Sequence, residues 1–214
     1  MDAIVLDHVS KTLKGRRVLD DVCLSLAPGG IYGFFGRNAS GKTMLLRAVA
    51  GLIHVDAGEV TVFGRRVHKD IEYPPDMGLV IENIGLWGSL TALENLRLLA
   101  DIRRVASEKD IRAALRRVGL APEDRRKYRA FSMGMRQKLA LAQAVMEKPR
   151  LLLLDEPTNG LDDEAVTLFR ALAAEEKARG ATILIATHQK EDVLDLCDRA
   201  FSIGEGRCRE REVG

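Results

Sequence analysis

The sequence predicts an α/β fold in which a parallel sheet is accompanied by an N-terminal antiparallel β subdomain and an inserted helical subdomain. Short strand patterns fill the first third of the chain, helical patterns dominate residues 85–148, and strands alternate with helices after residue 149. Such alternation is typical of a parallel sheet, because each crossover between parallel strands needs a long connection. We predict one domain over residues 1–214. Its α/β core and β subdomain occupy 1–84 and 149–214, and its helical subdomain occupies 85–148.

The strands of the first third are separated by glycine-rich turns. Apolar residues alternate from Ile4, and further strand patterns cover 18–26, 31–35 and 60–63. Pro28-Gly29-Gly30 and Ala57-Gly58 mark two of the turns between them. Apolar periodicity then predicts a helix over 41–52, and a short apolar run predicts a core strand over 77–81.

Capping residues mark the starts of the later helices. Thr91 with Glu94 fits a capping box, Ser107 precedes a basic amphipathic stretch, and Ser132 precedes an apolar stretch that ends before Pro149. Strand and helix patterns alternate after that point. They predict strands over 151–155, 182–187 and 200–203, and helices over 163–178 and 191–197.

Composition indicates a soluble globular chain of 214 residues that is 46% apolar and 30% charged. Its 33 Lys and Arg residues nearly balance 31 Asp and Glu residues, so no overall field favours nucleic acid or anionic lipid. The sequence shows neither a signal-peptide pattern nor an 18-residue apolar run, so we expect that the chain does not span a membrane by itself. Cys23, Cys197 and Cys208 lack metal-ligand spacing and are expected to be reduced thiols.

Residues 36–43, GRNASGKT, fit the pattern G-x-x-x-x-G-K-[ST] between an apolar strand and an apolar helix. That context is typical of a phosphate-binding loop, so the fold class is a P-loop NTPase core. Inward-facing N–H groups and the helix start attract phosphate, while Lys42 supplies a charge and Thr43 a hydroxyl for Mg²⁺. The predicted nucleotide-binding residues here are Gly36, Arg37, Asn38, Ala39, Ser40, Gly41, Lys42, Thr43 and Met44.

Two carboxylates follow the apolar run at 151–155. Asp155 stands at the carboxyl end of the predicted strand, where it is expected to hold the metal ion together with Thr43. Glu156 is placed to take a proton from the attacking water as general base. Together with the phosphate loop, this pair predicts a nucleotide hydrolase in which Glu156 and Lys42 are catalytic.

Residues 130–138, AFSMGMRQK, resemble the signature motif of the ABC ATPases, whose usual form is LSGGQ-[RK]-Q-[RK]. The other motifs of that family occur in the family's order along the whole chain. Walker A lies at 36–43, the Q-loop around Glu82, Walker B at 151–156, the D-loop at 159–162 and the H-switch at Thr187-His188. The resemblance implies an ATP hydrolase with ATP and Mg²⁺ as cofactors.

In that family two ATPase subunits pair head to tail, and each ATP lies between one subunit's Walker A and the other's signature helix. The resemblance therefore implies that Ser132 and Gly134 bind the partner's nucleotide, which suits the N-terminus of a serine-capped helix. It also implies that His188 acts catalytically at the γ-phosphate, and that Glu82 joins the metal ligands. The remaining histidines, His8, His54 and His68, are predicted to be structural.

Four positions, in three motifs, depart from the usual family pattern. Glu82 replaces the Q-loop glutamine, Met133 and Met135 replace a glycine and a glutamine of the signature, and Leu13 stands where an aromatic residue would stack on adenine. The glutamate and the Ser-x-Gly-Met-[RK]-Gln signature resemble the bacitracin- and lantibiotic-resistance branch of ABC exporters. In that branch the ATPase pairs with a separately encoded membrane subunit. Leu13 offers the base only aliphatic contact, so selectivity between ATP and GTP stays open.

We therefore expect the ATPase subunit of an exporter that is cytoplasmic and peripheral on the inner face of the cell membrane. Its expected partners are a separate transmembrane permease subunit and a second ATPase subunit, identical or paralogous. The apolar stretch at 84–90 is expected either to line the groove for the permease or to pack inside the helical subdomain. Arginines between Arg103 and Arg129 are expected to form a solvated face, so no nucleic-acid partner is predicted. The alternatives are a soluble ABC-type ATPase acting on nucleic acid or ribosomes, and a P-loop kinase outside the family.

Overall fold

The computed structural model describes residues 2–81 and 85–211. Its strands, in chain order, are β1 (Ile4–Leu13), β2 (Arg16–Leu26), β3 (Ile31–Phe35), β4 (Ala57–Val62), β5 (Arg65–Arg66), β6 (Met77–Val80), β7 (Leu151–Asp155), β8 (Thr182–Thr187), β9 (Arg199–Gly204) and β10 (Arg207–Arg211). The α-helices are α1 (Lys42–Val49), α2 (Ala92–Arg103), α3 (Glu108–Arg117), α4 (Met133–Val145) and α5 (Asp163–Ala178). Short 3₁₀ helices lie at Tyr128–Ala130, Lys190–Asp192 and Leu194–Leu196.

The strands form two sheets. An antiparallel sheet has the order β2-β1-β4-β5, and a second sheet has the order β10-β9-β3-β8-β7-β6. All neighbours in the second sheet are parallel except the edge strand β10, which runs antiparallel to β9. The register pairs Phe35 with Thr187 and Asp155 with Ala186. The carboxyl ends of β3, β7 and β8 therefore meet at one edge, which is where ligands bind in open α/β sheets.

Alternate residues of the parallel sheet supply two apolar cores on its two faces. Ile31, Leu152 and Ile183 face a core that also contains Leu96, Leu115, Leu139 and Phe169 from helices α2 to α5. Phe34, Leu153 and Leu184 face the other core, with Leu45 and Leu46 of α1 and Leu6, Leu26 and Val60 of the antiparallel sheet. Both faces are covered, so β7 and β8 are buried along their length and apolar apart from Asp155, Thr182 and Thr187. Each large side chain buried in this way stabilises the fold by about 1.5–3 kcal/mol.

The helix starts are capped as their sequences predict. Thr91 and Glu94 form a capping box at α2, and the Ser132 hydroxyl accepts from the Met135 N–H at α4. Ser107 and Asp110 form a second capping box at α3, and Asp110 also bonds Lys148. These hydrogen bonds, first that of Lys148 and then that of Ser107, lower the pKa of Asp110 to about 2. The helical subdomain is thus fixed locally at each helix start.

Several arginines of residues 103–129 pair with carboxylates of the same chain. Arg103 pairs with Glu147, and Arg112 bonds Glu108. Arg117 lies 2.8 Å from the carboxylate of Glu176, which is almost fully buried on α5. Arg117 therefore links α3 to α5, Arg103 links α2 to the residues after α4, and the Arg112 pair lies within α3. Among the described residues, no helix is long and apolar enough to cross a bilayer.

The structure differs from the sequence prediction in three elements. The helix predicted over 191–197 is replaced by two 3₁₀ turns, because Val193 between them adopts φ −137° and ψ −9°. Strand β10 was not predicted because it is charged rather than apolar, and it is held at the sheet edge by ladder bonds and by an Arg199–Glu210 pair. The two-residue strand β5 was too short to show a period. The division of the chain near residues 84 and 149 stays a prediction.

Candidate active site

The phosphate loop connects β3 to α1 at the sheet edge described above. Gly41 is the N-cap of α1 with φ 114°, and a side chain there would place its Cβ 2.5 Å from the Val18 carbonyl oxygen. A Cβ at Gly36 would collide with the carbonyl of Ile203. Both glycines are therefore required by close approach of the backbone, as the sequence pattern predicts. The loop leads directly into the start of α1, whose first amide groups have no intrahelical partners.

Lys42 lies inside this loop. Its side chain is 5% exposed, and Nζ donates to the carbonyl oxygens of Gly36 at 2.8 Å and Arg37 at 3.2 Å. The buried hydroxyl oxygen of Ser40, in the same loop, has no hydrogen-bond partner within the described residues. A phosphate group would supply acceptor oxygens to both the ammonium and the hydroxyl. The residues of the loop therefore fit a bound polyphosphate.

Thr43 and Asp155 form the candidate metal-binding pair. The Thr43 hydroxyl donates to Asp155 Oδ2 at 2.6 Å, which joins the first turn of α1 to the end of β7. A hydroxyl and a carboxylate are hard oxygen ligands of the kind Mg²⁺ prefers. The donor set fits that ion. The third residue predicted for the metal, Glu82, lies outside the described residues.

Glu156 occupies the centre of the site. Its Oε1 lies 3.6 Å from Lys42 Nζ, and its Oε2 accepts from the Thr187 hydroxyl at 2.8 Å. His188 Nδ1 lies 2.9 Å from Oε2, and the His188 N–H donates to the same oxygen at 3.3 Å. The backbone of Glu156 has φ 48°, a strained conformation for a residue with a side chain. The structure thus brings the three predicted catalytic residues together and aims the carboxylate by bonds from the end of β8.

Leu13 lines a cavity of about 310 Å³ beside the phosphate loop. The cavity wall also includes Arg16 and Val18 of β2 and loop residues 39–44. Arg16 is additionally tied to the loop by a 3.3 Å hydrogen bond to the Ala39 carbonyl oxygen. Sequence reasoning did not identify Arg16 and Val18, because no motif marks them and only the turn between β1 and β2 brings them to the loop. The contact of Leu13 with the base stays a prediction.

Ser132 and Gly134 lie at the start of α4, where Ser132 is exposed and Gly134 is partly buried. Gly134 faces the carbonyl of Gly160, and the side chain of Met133 covers Gly160 so closely that a Cβ at residue 160 would strike it. Gln137 Nε2 donates to the carbonyl oxygens of Pro157 at 3.0 Å and Glu156 at 3.2 Å. The structure therefore joins the signature helix to the loop after β7, while Lys42 and Thr43 contact Glu156 and Asp155. Gln137 was part of the quoted motif, but its role as a tie to Glu156 was not predicted.

Two of the three remaining histidines stack on each other. The rings of His54 and His68 lie 3.8 Å apart, and His68 Nε2 lies 3.2 Å from the Ile53 carbonyl oxygen. His8 instead lies exposed on the antiparallel sheet, 2.7 Å from a carboxylate oxygen of Asp21. His54 and His68 therefore pack on each other, and their predicted structural role stays a prediction, whereas His8 belongs to a separate polar cluster.

Comparisons with known proteins agree with this geometry. Residues 19–159 match the family model described as ABC transporter. An uncharacterized ABC transporter ATP-binding protein, YybJ of Bacillus subtilis, is 45% identical over 96% of this chain and 94% of its own length. The bacitracin transport ATP-binding protein BcrA of Bacillus licheniformis is 36% identical over 94% of this chain and 67% of its own length.

Solved structures show the same fold. The ABC transporter cassette MJ0796 superposes with a TM-score of 0.88 at 24% identity, covering 99% of both chains. An ATP-binding subunit of an ABC transporter superposes with a TM-score of 0.87 at 27% identity, covering 98% of this chain and 89% of the other. The predicted fold class and ATPase class are confirmed. The chain belongs to the ABC transporter family and is one of its ATP-binding ATPase subunits.

Proposed function

We propose that the chain hydrolyses MgATP as one half of a head-to-tail pair of ATPase subunits that drives an exporter. Thr43 and Asp155 would hold Mg²⁺, Lys42 would neutralise the β- and γ-phosphates, and Glu156 would take the proton of the attacking water. His188 would contact the γ-phosphate. Glu82 is proposed as a further metal-facing oxygen, and this role stays a prediction.

The observation that carries the paired arrangement is the exposed start of α4. The Ser132 side chain bonds within its own helix, and the first N–H groups of a helix have no intrahelical partners. They form a ready anion site with the positive end of the helix dipole. Within this chain the phosphate loop and α1 already provide one such site. A second nucleotide-facing helix start, at Ser132 and Gly134, is accounted for if it serves a partner's ATP.

The relatives support the exporter assignment. BcrA is named for bacitracin transport, and SrtF of Streptococcus pyogenes, 32% identical over 94% of this chain, is named for lantibiotic transport. MJ0796 is described as dimeric. We propose a separate transmembrane permease subunit as the partner and the inner face of the cell membrane as the location. Trp87 would contribute to its docking groove, because its backbone is fixed by buried Asn95 while the residue is 49% exposed.

A mixing experiment tests the shared site. The variants Lys42→Ala and Ser132→Arg should each be inactive alone, because each homodimer lacks one half of both sites. When the two variants are mixed at equal concentration, half of the dimers would be hybrids, and each hybrid contains one intact site of two. The mixture should therefore regain up to about a quarter of parental activity. In the control, Lys42→Ala is mixed with the double variant Lys42→Ala/Ser132→Arg in place of Ser132→Arg. No dimer in that mixture contains an intact site. Phosphate release that stays at the control level across mixing ratios, with every variant folded, would contradict the proposal.

A further inference from the structure

Four polar side chains meet on the exposed face of the antiparallel sheet, outside the nucleotide site. They are Asp7, His8, Asp21 and Cys23. One ligand atom each from Asp7, His8 and Cys23 lies within 4.8 Å of the others, with His8 Nε2 3.9 Å from Asp7 Oδ1. The fourth residue, Asp21, holds the imidazole from the other side through Nδ1, at 2.7 Å. Nitrogen, sulfur and oxygen ligands therefore converge on one point.

Two β-bulges create this arrangement. The pairing of β1 with β2 passes from Leu6↔Leu24 to Val9↔Val22, so Asp7 and His8 together stand opposite the single residue Cys23. The next step, to Lys11↔Leu19, places two β2 residues opposite Ser10, whose hydroxyl accepts from the Asp21 N–H at 3.0 Å. A bulge bends the strand and changes the direction in which a side chain points. The first bulge turns His8 to the outer face, whereas regular alternation from buried Leu6 would turn it inward.

The backbone is strained at the two bulged residues. His8 has φ 51° and Asp21 has φ 53°, and both keep this left-handed conformation inside a strand. The neighbouring strand accommodates the first bulge through Gly58, where any Cβ would collide with the carbonyl groups of Asp7 and His8. In addition, the His8 N–H donates to Cys23 Sγ at 3.3 Å. Strain that is supported from both neighbouring strands indicates that the position of these side chains is specified rather than incidental.

We propose that Asp7, His8 and Cys23 bind one divalent ion of the zinc class. Cysteine sulfur, histidine nitrogen and carboxylate oxygen are the ligands that Zn²⁺ takes in tetrahedral sites, with bonds of about 2.0–2.3 Å. Such bonds place ligand atoms less than about 4 Å apart, so the cluster needs only small side-chain movements to close on an ion. Asp21 has the role of the carboxylate that fixes the tautomer of a metal-binding histidine, leaving Nε2 for the metal. Solvent would supply the fourth ligand, because all the side chains are exposed.

The charge of the cluster favours a cation. The carboxylates of Asp7 and Asp21 lie 3.9 Å and 2.7 Å from the two ring nitrogens of His8, so their negative charges lie where a cation would bind. The ligand chemistry also separates this site from the candidate Mg²⁺ pair, Thr43 and Asp155, which offers only hard oxygens. Cysteine spacing along the sequence gave no sign of the site, because its ligands come from two strands and are aligned by the bulges.

Cobalt titration tests the proposal, because Co²⁺ replaces Zn²⁺ in such sites and absorbs light when a thiolate binds it. The full chain is titrated with Co²⁺ under reducing conditions and in excess Mg²⁺, which occupies the oxygen-only pair. One equivalent of Co²⁺ per chain should produce a thiolate-to-cobalt charge-transfer band, and added Zn²⁺ should remove it. Cys23→Ser should abolish the band. Asp21→Asn should keep the band and weaken Co²⁺ binding by about 10- to 100-fold, as expected for loss of an orienting carboxylate.

The controls separate the cluster from other thiols and from unfolding. Cys208→Ser removes a partly buried thiol outside the cluster and should leave the titration unchanged. His8→Asn, chosen because asparagine tolerates positive φ, should also weaken binding at least about tenfold, and it replaces Cys23→Ser if that variant does not fold. Urea unfolding of each variant verifies the fold. Absence of the band in the parent, or an equal band in Cys23→Ser, would overturn the proposal.

Discussion

Replacing Glu156 by glutamine should abolish ATP turnover while leaving ATP bound. The Gln oxygen can still accept from the Thr187 hydroxyl and the His188 N–H, which bond Glu156 at 2.8 Å and 3.3 Å. The local structure should therefore be retained. The amide cannot take a proton, however, and a positioned general base contributes a rate factor of roughly 10² to 10⁴. The expected loss corresponds to about 3–5 kcal/mol of transition-state stabilisation.

Two measurements check this expectation. Phosphate release at saturating MgATP should fall by the stated factor, and equilibrium binding of ATP should stay within a few-fold of the parent. Size-exclusion chromatography with ATP should show a stable pair of Glu156→Gln subunits, because the shared nucleotide would no longer be cleaved. Glu123→Gln is the matched control, since Glu123 is an exposed carboxylate that pairs with Arg112 in the helical subdomain. Turnover of Glu156→Gln at the parental rate would refute the assignment of Glu156 as general base.

Leu13→Tyr should tighten ATP binding by up to about tenfold, because stacking on an aromatic ring is worth roughly 1–3 kcal/mol and each 1.4 kcal/mol is a decade in affinity. Leu52→Tyr at another exposed leucine is its control, and unchanged affinity of Leu13→Tyr would mean that position 13 does not meet the base. Asp110→Asn should destabilise the fold by on the order of 1 kcal/mol at neutral pH, since Asp110 has a pKa of about 2 in the folded chain against an ordinary 3.8. A depressed pKa contributes stability above pH 3.8 that is lost as the pH falls through 2. Urea unfolding curves of parent and variant should therefore converge near pH 2, and a constant difference across this range would contradict the expectation.

The phosphate loop and the carboxylates could be located from the sequence because each depends on local chain geometry. Gly36 and Gly41 are needed where the backbone passes close to Ile203 and Val18. Because both glycines stand at fixed distances from Lys42 along the chain, the sequence pattern reveals them. Asp155 and Glu156 follow an apolar strand directly, so their place at the sheet edge also follows from local pattern. Their meeting with Lys42 then follows from the parallel order of the strands.

Contacts between distant segments could not be predicted in this way. Arg16 reaches the Ala39 carbonyl only because β2 passes the phosphate loop, and Gln137 reaches Glu156 only through the packing of α4. Strand β10 lacks apolar alternation because it is an edge strand with charged side chains. The bulges that gather His8 and Cys23 interrupt the period on which strand prediction depends. Register and packing, rather than residue type, determine these features.

The hydrogen bonds of Gln137 have a consequence for how two ATP molecules are handled in one pair of subunits. The Gln137 side chain holds the carbonyl of Glu156, whose backbone is already at φ 48°, and it stands on the helix whose first turn is proposed to meet the partner's ATP. A tilt of α4 as that ATP arrives or leaves would pull on this peptide, and with it on the carboxylate of Glu156. Each subunit's readiness to cleave its own ATP would then depend on whether the neighbouring pocket is filled. The two nucleotide sites of a pair would thereby be coupled through α4 of each subunit.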